Sequence, residues 1–346
     1  MIHNVTLIPG DGIGPEVISA ARRVIEATGV TIHWEEINAG GEALKQYGTL
    51  LPDALIESIK RNRVALKGPI TTQVAEGFPS LNVRLRKMFD LYANFRPIKN
   101  MPNVPCRFGD IDLIVVRENT EDLYAGLEHE VVPGVVESLK IMTEKACTRI
   151  SRFAFEYARK NKRKKIHAVH KANIMKLSDG LFLRCSRNIA KEYPEITYGE
   201  HIVDNTCMEL VMNPYQYDML LMENLYGDIL SDLCAAFVGG LGFVPGANFG
   251  DHCAIFEAVH GSAPDIAGKN IANPTAVIRS ALLMLRHLNE YEAATKIRNA
   301  LEKVYRTRDK LTRDVGGKAG TSEFTDSVIE MMESAPSLEP AESSRV

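Results

Sequence analysis

Val5-Thr6-Leu7-Ile8-Pro9-Gly10-Asp11-Gly12-Ile13-Gly14-Pro15-Glu16 sets an apolar run against a glycine turn and then a helix start. Val5 to Ile8 reads as a short buried strand, PGDGIG as a turn, and Pro15 to Thr28 as a helix with apolar residues at helical spacing. The chain therefore opens β-turn-α. With Glu35-Glu36 further on, Gly10, Gly12 and Gly14 invite comparison with a dinucleotide-binding turn. However, G-x-G-x-G lacks the third glycine that G-x-G-x-x-G places where helix packs on strand. A tight turn that needs permissive backbone angles accounts for these glycines better.

Strand patterns recur at Arg63 to Leu66, Ile111 to Val116, His167 to His170 and Met219 to Met222. Helical patterns lie at Cys147 to Asn161, Ser178 to Lys191, Asp228 to Phe237 and Pro274 to His287. This alternation predicts an α/β protein, and no internal repeat is evident. Between Leu123 and Ile141 the run AGLEHEVVPGVVESLKI (residues 125–141) alternates, is rich in valine and holds a Pro-Gly pair, so it predicts a projecting hairpin. The C-terminal SAPSLEPAESSRV is polar and rich in Pro and Ser, which predicts a mobile tail.

With 346 residues, 45% of them hydrophobic, the chain can form two lobes. Its 44 acidic and 41 basic residues are well mixed and give a net charge of -3, so no basic face points to nucleic acid, and a small molecule is the expected partner. Cys106, Cys147, Cys185, Cys207, Cys234 and Cys253 are scattered, never form Cys-x-x-Cys, and read as reduced core residues of a reducing compartment. MIHNVTLIPGDG enters a strand pattern at once with no leader-like region, and no apolar run approaches the ~18 to 20 residues of a membrane span. The expected compartment is a bacterial or archaeal cytoplasm, or the mitochondrial matrix if a transit peptide has been removed.

Four segments carry chemistry. Around Ser80-Leu-Asn82 and Arg86, then at Arg96 and Arg117, three arginines accompany apolar strand or helix residues. Each guanidinium is a planar fork that can grip a carboxylate bidentately, and three together would suit a tricarboxylate; singly, each suits a structural ion pair. His170-Lys171-Ala172-Asn173-Ile174-Met175-Lys176 follows a buried strand, so Lys171 could be desolvated for proton transfer or be an ordinary surface lysine. Asp228 and Asp232 lie four residues apart on one helical face, with Val203-Asp204-Asn205-Thr206 upstream. Like charges so placed repel unless a cation lies between them, and oxygen donors suit Mg²⁺ or Mn²⁺ rather than zinc; alternatively, Asp228 merely charges a first helical turn. Finally, Phe256 to Pro274 is a long run of small residues with a single histidine, suited to wrapping backbone around a nucleotide or to forming a plain surface loop.

Taken together, the strings LIPGDGIGPE, HKANIMK, NLYGDILSDL and EAVHGSAPDIAGKNIANPTA resemble the isocitrate/isopropylmalate dehydrogenase family, in order from Val5 to about Thr325. The resemblance is greatest to its NAD-dependent isocitrate dehydrogenases. It implies a non-Rossmann α/β fold that dimerises: residues 1–91 and 239–336 form a large domain, 92–121 and 144–238 a small one, 122–143 a clasp hairpin between subunits, and 337–346 the mobile tail. By resemblance, Ser80, Asn82, Arg86, Arg96, Arg117 and Asn173 bind substrate. Tyr124, Lys171 and Asp204 are catalytic, with Lys171 reaching across the dimer. Asp204 from the second copy, Asp228 and Asp232 ligate Mg²⁺ or Mn²⁺. Thr71, Thr72, Glu257, His260, Gly261, Ala263, Asp265, Ile266 and Asn273 match cofactor positions.

NADP-linked relatives carry Lys-Tyr where this chain has Asp265-Ile266; a carboxylate accepts hydrogen bonds from ribose hydroxyls and repels a 2'-phosphate, so NAD is expected. Polar Ser80 and Asn82 stand where isopropylmalate enzymes carry an acidic and aliphatic set, which favours isocitrate, with homoisocitrate or 3-isopropylmalate as alternatives. A non-catalytic regulatory subunit is the alternative of another class, although such subunits lose catalytic positions that this chain retains. Two departures stand out: Met222-Glu223 precedes Asn224 where a proline or aspartate is often found, and Asp251-His252-Cys253 precedes the cofactor loop.

Overall fold

A computed structural model describes residues 2–71 and 80–333. Its strands are β1 (Ile2–Ile8), β2 (Thr31–Glu36), β3 (Val64–Lys67), β4 (Ala93–Lys99), β5 (Asp112–Glu118), β6 (Glu128–Val132), β7 (Val135–Ser138), β8 (Lys165–His170), β9 (Thr197–Ile202), β10 (Met219–Met222), β11 (Pro245–Phe249) and β12 (Ala254–Ala258). Its helices are α1 (Gly14–Glu26), α2 (Gly41–Tyr47), α3 (Asp53–Asn62), α4 (Leu81–Met88), α5 (Glu144–Lys160), α6 (Ser178–Ala190), α7 (Val203–Met212), α8 (Asn224–Ala235), α9 (Thr275–His287), α10 (Tyr291–Thr307) and α11 (Thr321–Glu333).

The opening unit forms as its sequence predicts. Pro15 starts α1, whose proline lacks only an amide that the first turn leaves unpaired. Val17, Ile18, Ala21, Val24 and Ile25 then face inward at helical spacing. The turn before it is tight because it is crowded: Gly12 has φ +60, and a Cβ there would lie 1.9 Å from the Ser262 carbonyl oxygen. Asp11 closes it, accepting the Gly41 amide at 2.8 Å and the Thr71 amide at 2.9 Å. These glycines bring chain segments together.

Ten strands make one sheet in the order β2-β1-β3-β12-β11-β4-β5-β10-β8-β9. Both flanks are parallel, while β12-β11, β11-β4 and β4-β5 pair antiparallel at the centre. Side-chain packing is less continuous than the sheet. Two apolar clusters draw chiefly on the chain ends, through α1, α9, α10 and α11 on one face and α3 and α4 on the other. Two more draw on α5 and α6, and on α8, around β5, β8 and β10. The hairpin β6-β7 stands apart as its own two-stranded sheet, with Val132 54% and Val136 65% exposed. Among the described residues no helix is long and apolar enough to cross a membrane.

Two sequence expectations need correction. Only Cys147, Cys185 and Cys234 are buried; Cys106 is exposed and Cys207 and Cys253 are intermediate, although all six are free thiols. The helix expected from Asp228 begins at Asn224, so Asp228 lies beyond the first turn and macrodipole compensation does not explain it. The tail, 337–346, lies outside the described residues.

Candidate active site

The three arginines converge although they come from α4, β4 and β5. Arg117 is 1% exposed, and its Nε and Nη2 both donate to Asn224 Oδ1, at 3.0 and 2.7 Å, while Nη1 pairs with Asp228. Its stem needs room, which explains the glycine in NLYGD: a Cβ on Gly227 would lie 2.5 Å from Arg117 Cγ. Arg96, 6% exposed, donates to Ser231 Oγ at 2.5 Å and to Asp232 at 3.3 Å, and comes within 3.7 Å of Asp228. Burial pushes the pKa of Arg117 down to about 10, and the charges of Arg86 and Arg96 push the same way. Three mutually repelling guanidinium groups thus share one site, a costly arrangement that an anion would relieve.

Arg86 and Arg96 line a cleft of about 130 Å³ together with Asn82, Lys67, Glu257 and His260. Asn82 Oδ1, Arg86 Nε, Arg96 Nε and His260 Nε2 are buried there without a hydrogen-bond partner. Such orphaned polar atoms are costly; the two arginine donors suit an anionic ligand, and the Asn82 oxygen suits a hydroxyl or amide donor, better than an apolar group would. Ser80 is intermediate in exposure and occupies the position before α4.

On the cofactor side, Glu257 meets Lys67 at 2.5 Å, Asn248 Nδ2 at 2.7 Å and Arg86 at 3.6 Å. Burial raises its pKa, but Lys67 and Arg86 outweigh that and bring it down to about 2. His260 Nδ1 lies 3.0 Å from the Gly261 carbonyl oxygen, and burial holds its pKa below the ordinary value. Gly261 and Asp265 are exposed, Ile266 is intermediate, and Ala263 adopts φ +39. Thr71 is bound by Asp11 and by the Ser262 hydroxyl at 2.8 Å; Thr72 lies outside the described residues. Asn273 is engaged within the fold, donating to Asp314 at 2.9 Å and accepting the Thr275 amide at 3.0 Å, which leaves less of it for a ligand than expected.

Asp228 is the hub. Its Oδ1 takes Arg117 and its Oδ2 accepts the Tyr124 hydroxyl at 2.5 Å; Arg117 also lies over the Tyr124 ring at 5.0 Å. Burial raises the Tyr124 pKa, and donation to Asp228 raises it further, so the phenol stays protonated. Asp232 is also raised, by burial and by the Asp228 charge against the pull of Arg96. Asp228, by contrast, is held below the ordinary carboxylate value: burial raises it, but Arg117, Tyr124, Arg96 and Arg86 outweigh that. Two carboxylates one turn apart are oxygen donors of the kind a hard divalent cation takes.

Lys171 pairs instead with Asp204, and Asn173 is exposed beside them. Among the described residues, no three His, Cys, Asp or Glu side chains of this chain gather as a metal site, so Asp204 does not join Asp228 and Asp232 within one copy.

Sequence reading missed Lys67 and Asn224. Lys67 is 2% exposed at the end of a fully buried strand, and a lysine closing the apolar run VALK was a signal available in the sequence. Asn224 left no comparable signal, because its role depends on the approach of Arg117 from another element.

A model of isocitrate/isopropylmalate dehydrogenase matches residues 4–328. The chain is 52% identical over 326 residues to the mitochondrial NAD isocitrate dehydrogenase catalytic subunit 5 of Arabidopsis thaliana, covering 94% of this chain and 87% of that one. It is equally, at 52% over 299 residues, similar to the chloroplastic 3-isopropylmalate dehydrogenase of Solanum tuberosum, covering 86% and 84%. A regulatory subunit of the mitochondrial NAD isocitrate dehydrogenase of Dictyostelium discoideum is 49% identical, over 95% and 91% of the two chains. The crystal structure of isocitrate dehydrogenase from Methylococcus capsulatus superposes with a TM-score of 0.93 at 49% identity, covering 95% of this chain and 99% of that one.

Proposed function

The chain belongs to the isocitrate/isopropylmalate dehydrogenase family, and we propose that within it the chain oxidises the 2-hydroxyl of isocitrate with NAD and releases carbon dioxide to give 2-oxoglutarate. The observation that carries this reading is the cleft that Arg86 and Arg96 line together with Glu257 and His260, with Arg117 close enough behind it to feel the charges of both. Three guanidinium groups with Ser80 and Asn82 match three carboxylates, so the substrate is fixed with its reacting carbon turned toward the cofactor loop. An apolar isopropyl group would leave the buried Arg86 and Arg96 Nε donors unpaired, which disfavours 3-isopropylmalate.

The nucleotide is read by Thr71, Thr72, Glu257, His260, Gly261, Ala263, Asp265, Ile266 and Asn273, with Asp265 favouring NAD over NADP. Mg²⁺ or Mn²⁺, held by Asp228, Asp232 and Asp204 of a second copy, supplies Lewis-acid polarisation of the substrate oxygens when bound. Tyr124, kept protonated beside Asp228, delivers the proton that completes the product, and Lys171 from the second copy holds the proton balance at that end of the substrate. The exposed β6-β7 hairpin, with its apolar valines, supports a dimer clasp. The sorting of apolar clusters between chain ends and chain middle supports the two-domain division. On this reading the compartment is a bacterial or archaeal cytoplasm or the mitochondrial matrix.

The test follows NADH or NADPH formation with isocitrate, homoisocitrate and 3-isopropylmalate, each with NAD or NADP and with Mg²⁺ or EDTA. Metal-dependent turnover of isocitrate with NAD, far above every other combination, is expected. Faster turnover of 3-isopropylmalate would overturn the substrate assignment, and no turnover at all would replace the enzyme with a regulatory subunit.

A further inference from the structure

Glu223, the departure noted immediately before Asn224, is 0% exposed and precedes the helix that carries Asp228 and Asp232. Its Oε2 pairs with Lys140, at the end of the projecting hairpin. The same ammonium donates to Asp179 at 2.7 Å, lies 3.9 Å from Asp122 and sits 4.7 Å from the centre of the Tyr226 ring. Three carboxylates therefore surround one lysine, and all three are at most 2% exposed.

Each carboxylate is tied to a segment that the proposed reaction uses, the Lys171 turn serving the active site of the second copy. Asp179 Oδ2 accepts the backbone amide of Lys171. Asp122 Oδ2 accepts the Leu225 amide at 2.7 Å, and Asp122 itself is held at φ +67 and ψ −149, a strained backbone for a non-glycine residue, two positions before Tyr124. Glu223 is the residue immediately before α8, one position before the asparagine that holds Arg117. We propose that Glu223 is a positioning residue: through Lys140 it locks the Tyr124 turn, the Lys171 turn and the metal-bearing helix in one mutual arrangement. This deepens the reading given under Proposed function and rests on it for its catalytic consequence.

A purely stabilising cluster would be expected to satisfy its own polar groups. Here Glu223 Oε1, Asp122 Oδ1 and the Tyr226 hydroxyl are buried without partners, and buried charge clusters of this kind seldom add stability over apolar packing. What such a cluster supplies is a fixed geometry. Proton transfer and metal ligation tolerate little displacement, since an error of about 1 Å can cost on the order of a hundredfold in rate.

The experiment compares wild type with Glu223→Ala and Glu223→Gln as the full chain. Gln keeps an oxygen acceptor for Lys140, whereas Ala removes it. In Glu223→Ala, kcat for isocitrate is expected to fall roughly tenfold or more with KM changed by less than about threefold, and Glu223→Gln should restore most of kcat. Amide hydrogen exchange supplies a readout that needs no activity. Peptides covering Lys171 and Leu225 should exchange roughly tenfold faster in Glu223→Ala and near the wild-type rate in Glu223→Gln, with peptides from β1 and α1 unchanged. Unchanged exchange at those peptides, or an equal rise throughout the chain, would overturn the proposal, as would wild-type kcat in Glu223→Ala. If wild type turns over no substrate, the function reading fails separately and the exchange result alone decides the linkage.

Discussion

Replacing Tyr124 with Phe separates the two halves of the proposed reaction. The substitution keeps the ring that Arg117 covers at 5.0 Å and removes only the hydroxyl that donates to Asp228 at 2.5 Å. A hydrogen bond to a charged acceptor contributes about 1.5 to 3 kcal/mol, and the lower end applies to this half-buried phenol, so the fold should survive with a modest loss of stability. A positioned general acid contributes about 10² to 10⁴ in rate, equivalent to about 3 to 5 kcal/mol of barrier, and that loss should fall on protonation of the decarboxylated product. Oxidation of the 2-hydroxyl makes no demand on the phenol and should slow by no more than about tenfold, through the readjusted Asp228. The assay supplies oxalosuccinate directly. With NADH it reports the redox half in reverse, and without nucleotide its conversion to 2-oxoglutarate reports decarboxylation and protonation. Selective loss of the second is expected; equal loss of both would remove Tyr124 from the role of proton donor.

Asp265→Lys with Ile266→Tyr should raise the KM for NAD and lower that for NADP, because a cation would replace the exposed carboxylate; initial rates with both nucleotides decide this, and an unchanged preference would refute it. Asp228→Asn and Asp232→Asn should each raise the half-activating Mg²⁺ concentration about tenfold or more, since each removes one anionic donor from the cation; an unaltered Mg²⁺ titration would move the metal elsewhere. His167 is 9% exposed, and burial lowers its pKa to about 4, helped by the charges of His201 and Lys165. A histidine held below its unfolded value near 6.5 gives stability that is complete above that value and lost as pH falls toward 4. Between pH 7 and 5 the loss should be about 2 kcal/mol, and urea unfolding of His167→Gln should show a flatter acid limb than wild type; parallel limbs would show that His167 does not carry this dependence.

What the sequence revealed depended on how local each signal was. The β1-turn-α1 unit, the 219–222 strand and the Pro-Gly hairpin each carry their own periodicity or turn residues, and they formed close to the expected positions. The antiparallel centre of the sheet was not legible, since β4 and β11 are neighbours although some 150 residues separate Phe95 from Ala247, and no local pattern encodes that pairing. Within the site, Arg86, Arg96 and Arg117 were legible as residue types, but their convergence depends on Gly227 admitting the Arg117 stem and on Asn224 holding its head. Asn273 was legible only as part of a motif, and its hydrogen bonds to Asp314 and from the Thr275 amide, which anchor it in the fold, come from residues that no local pattern names. The observed start of α8, Asn224, lies four residues before the expected Asp228, and the partners of Glu223 and Asn224 come from other elements that a local pattern does not reveal.

The charges gathered at the cleft make their own demand on the substrate. Lys67, Arg86, Arg96 and Arg117 face Glu257, Asp228 and Asp232, so four cations stand against three carboxylates and one positive charge remains. Lys171 and Asp204 cancel one another and leave that balance unchanged. A tricarboxylate bound with one dication carries one net negative charge and a dicarboxylate carries none, so, with the positive ring of NAD⁺ adding equally to both, the dicarboxylate leaves one more positive charge uncompensated. Uncompensated buried charge costs several kcal/mol, and each 1.4 kcal/mol is a factor of ten in affinity. On the proposed reading, discrimination against 3-isopropylmalate would have an electrostatic source besides hydrogen bonding to the third carboxylate. It follows that Lys67→Met, which removes one buried cation from beside Glu257, should weaken isocitrate more than 3-isopropylmalate and narrow the ratio of their kcat/KM values. A ratio unchanged by Lys67→Met would mean that contacts alone, and not charge balance, select the third carboxylate.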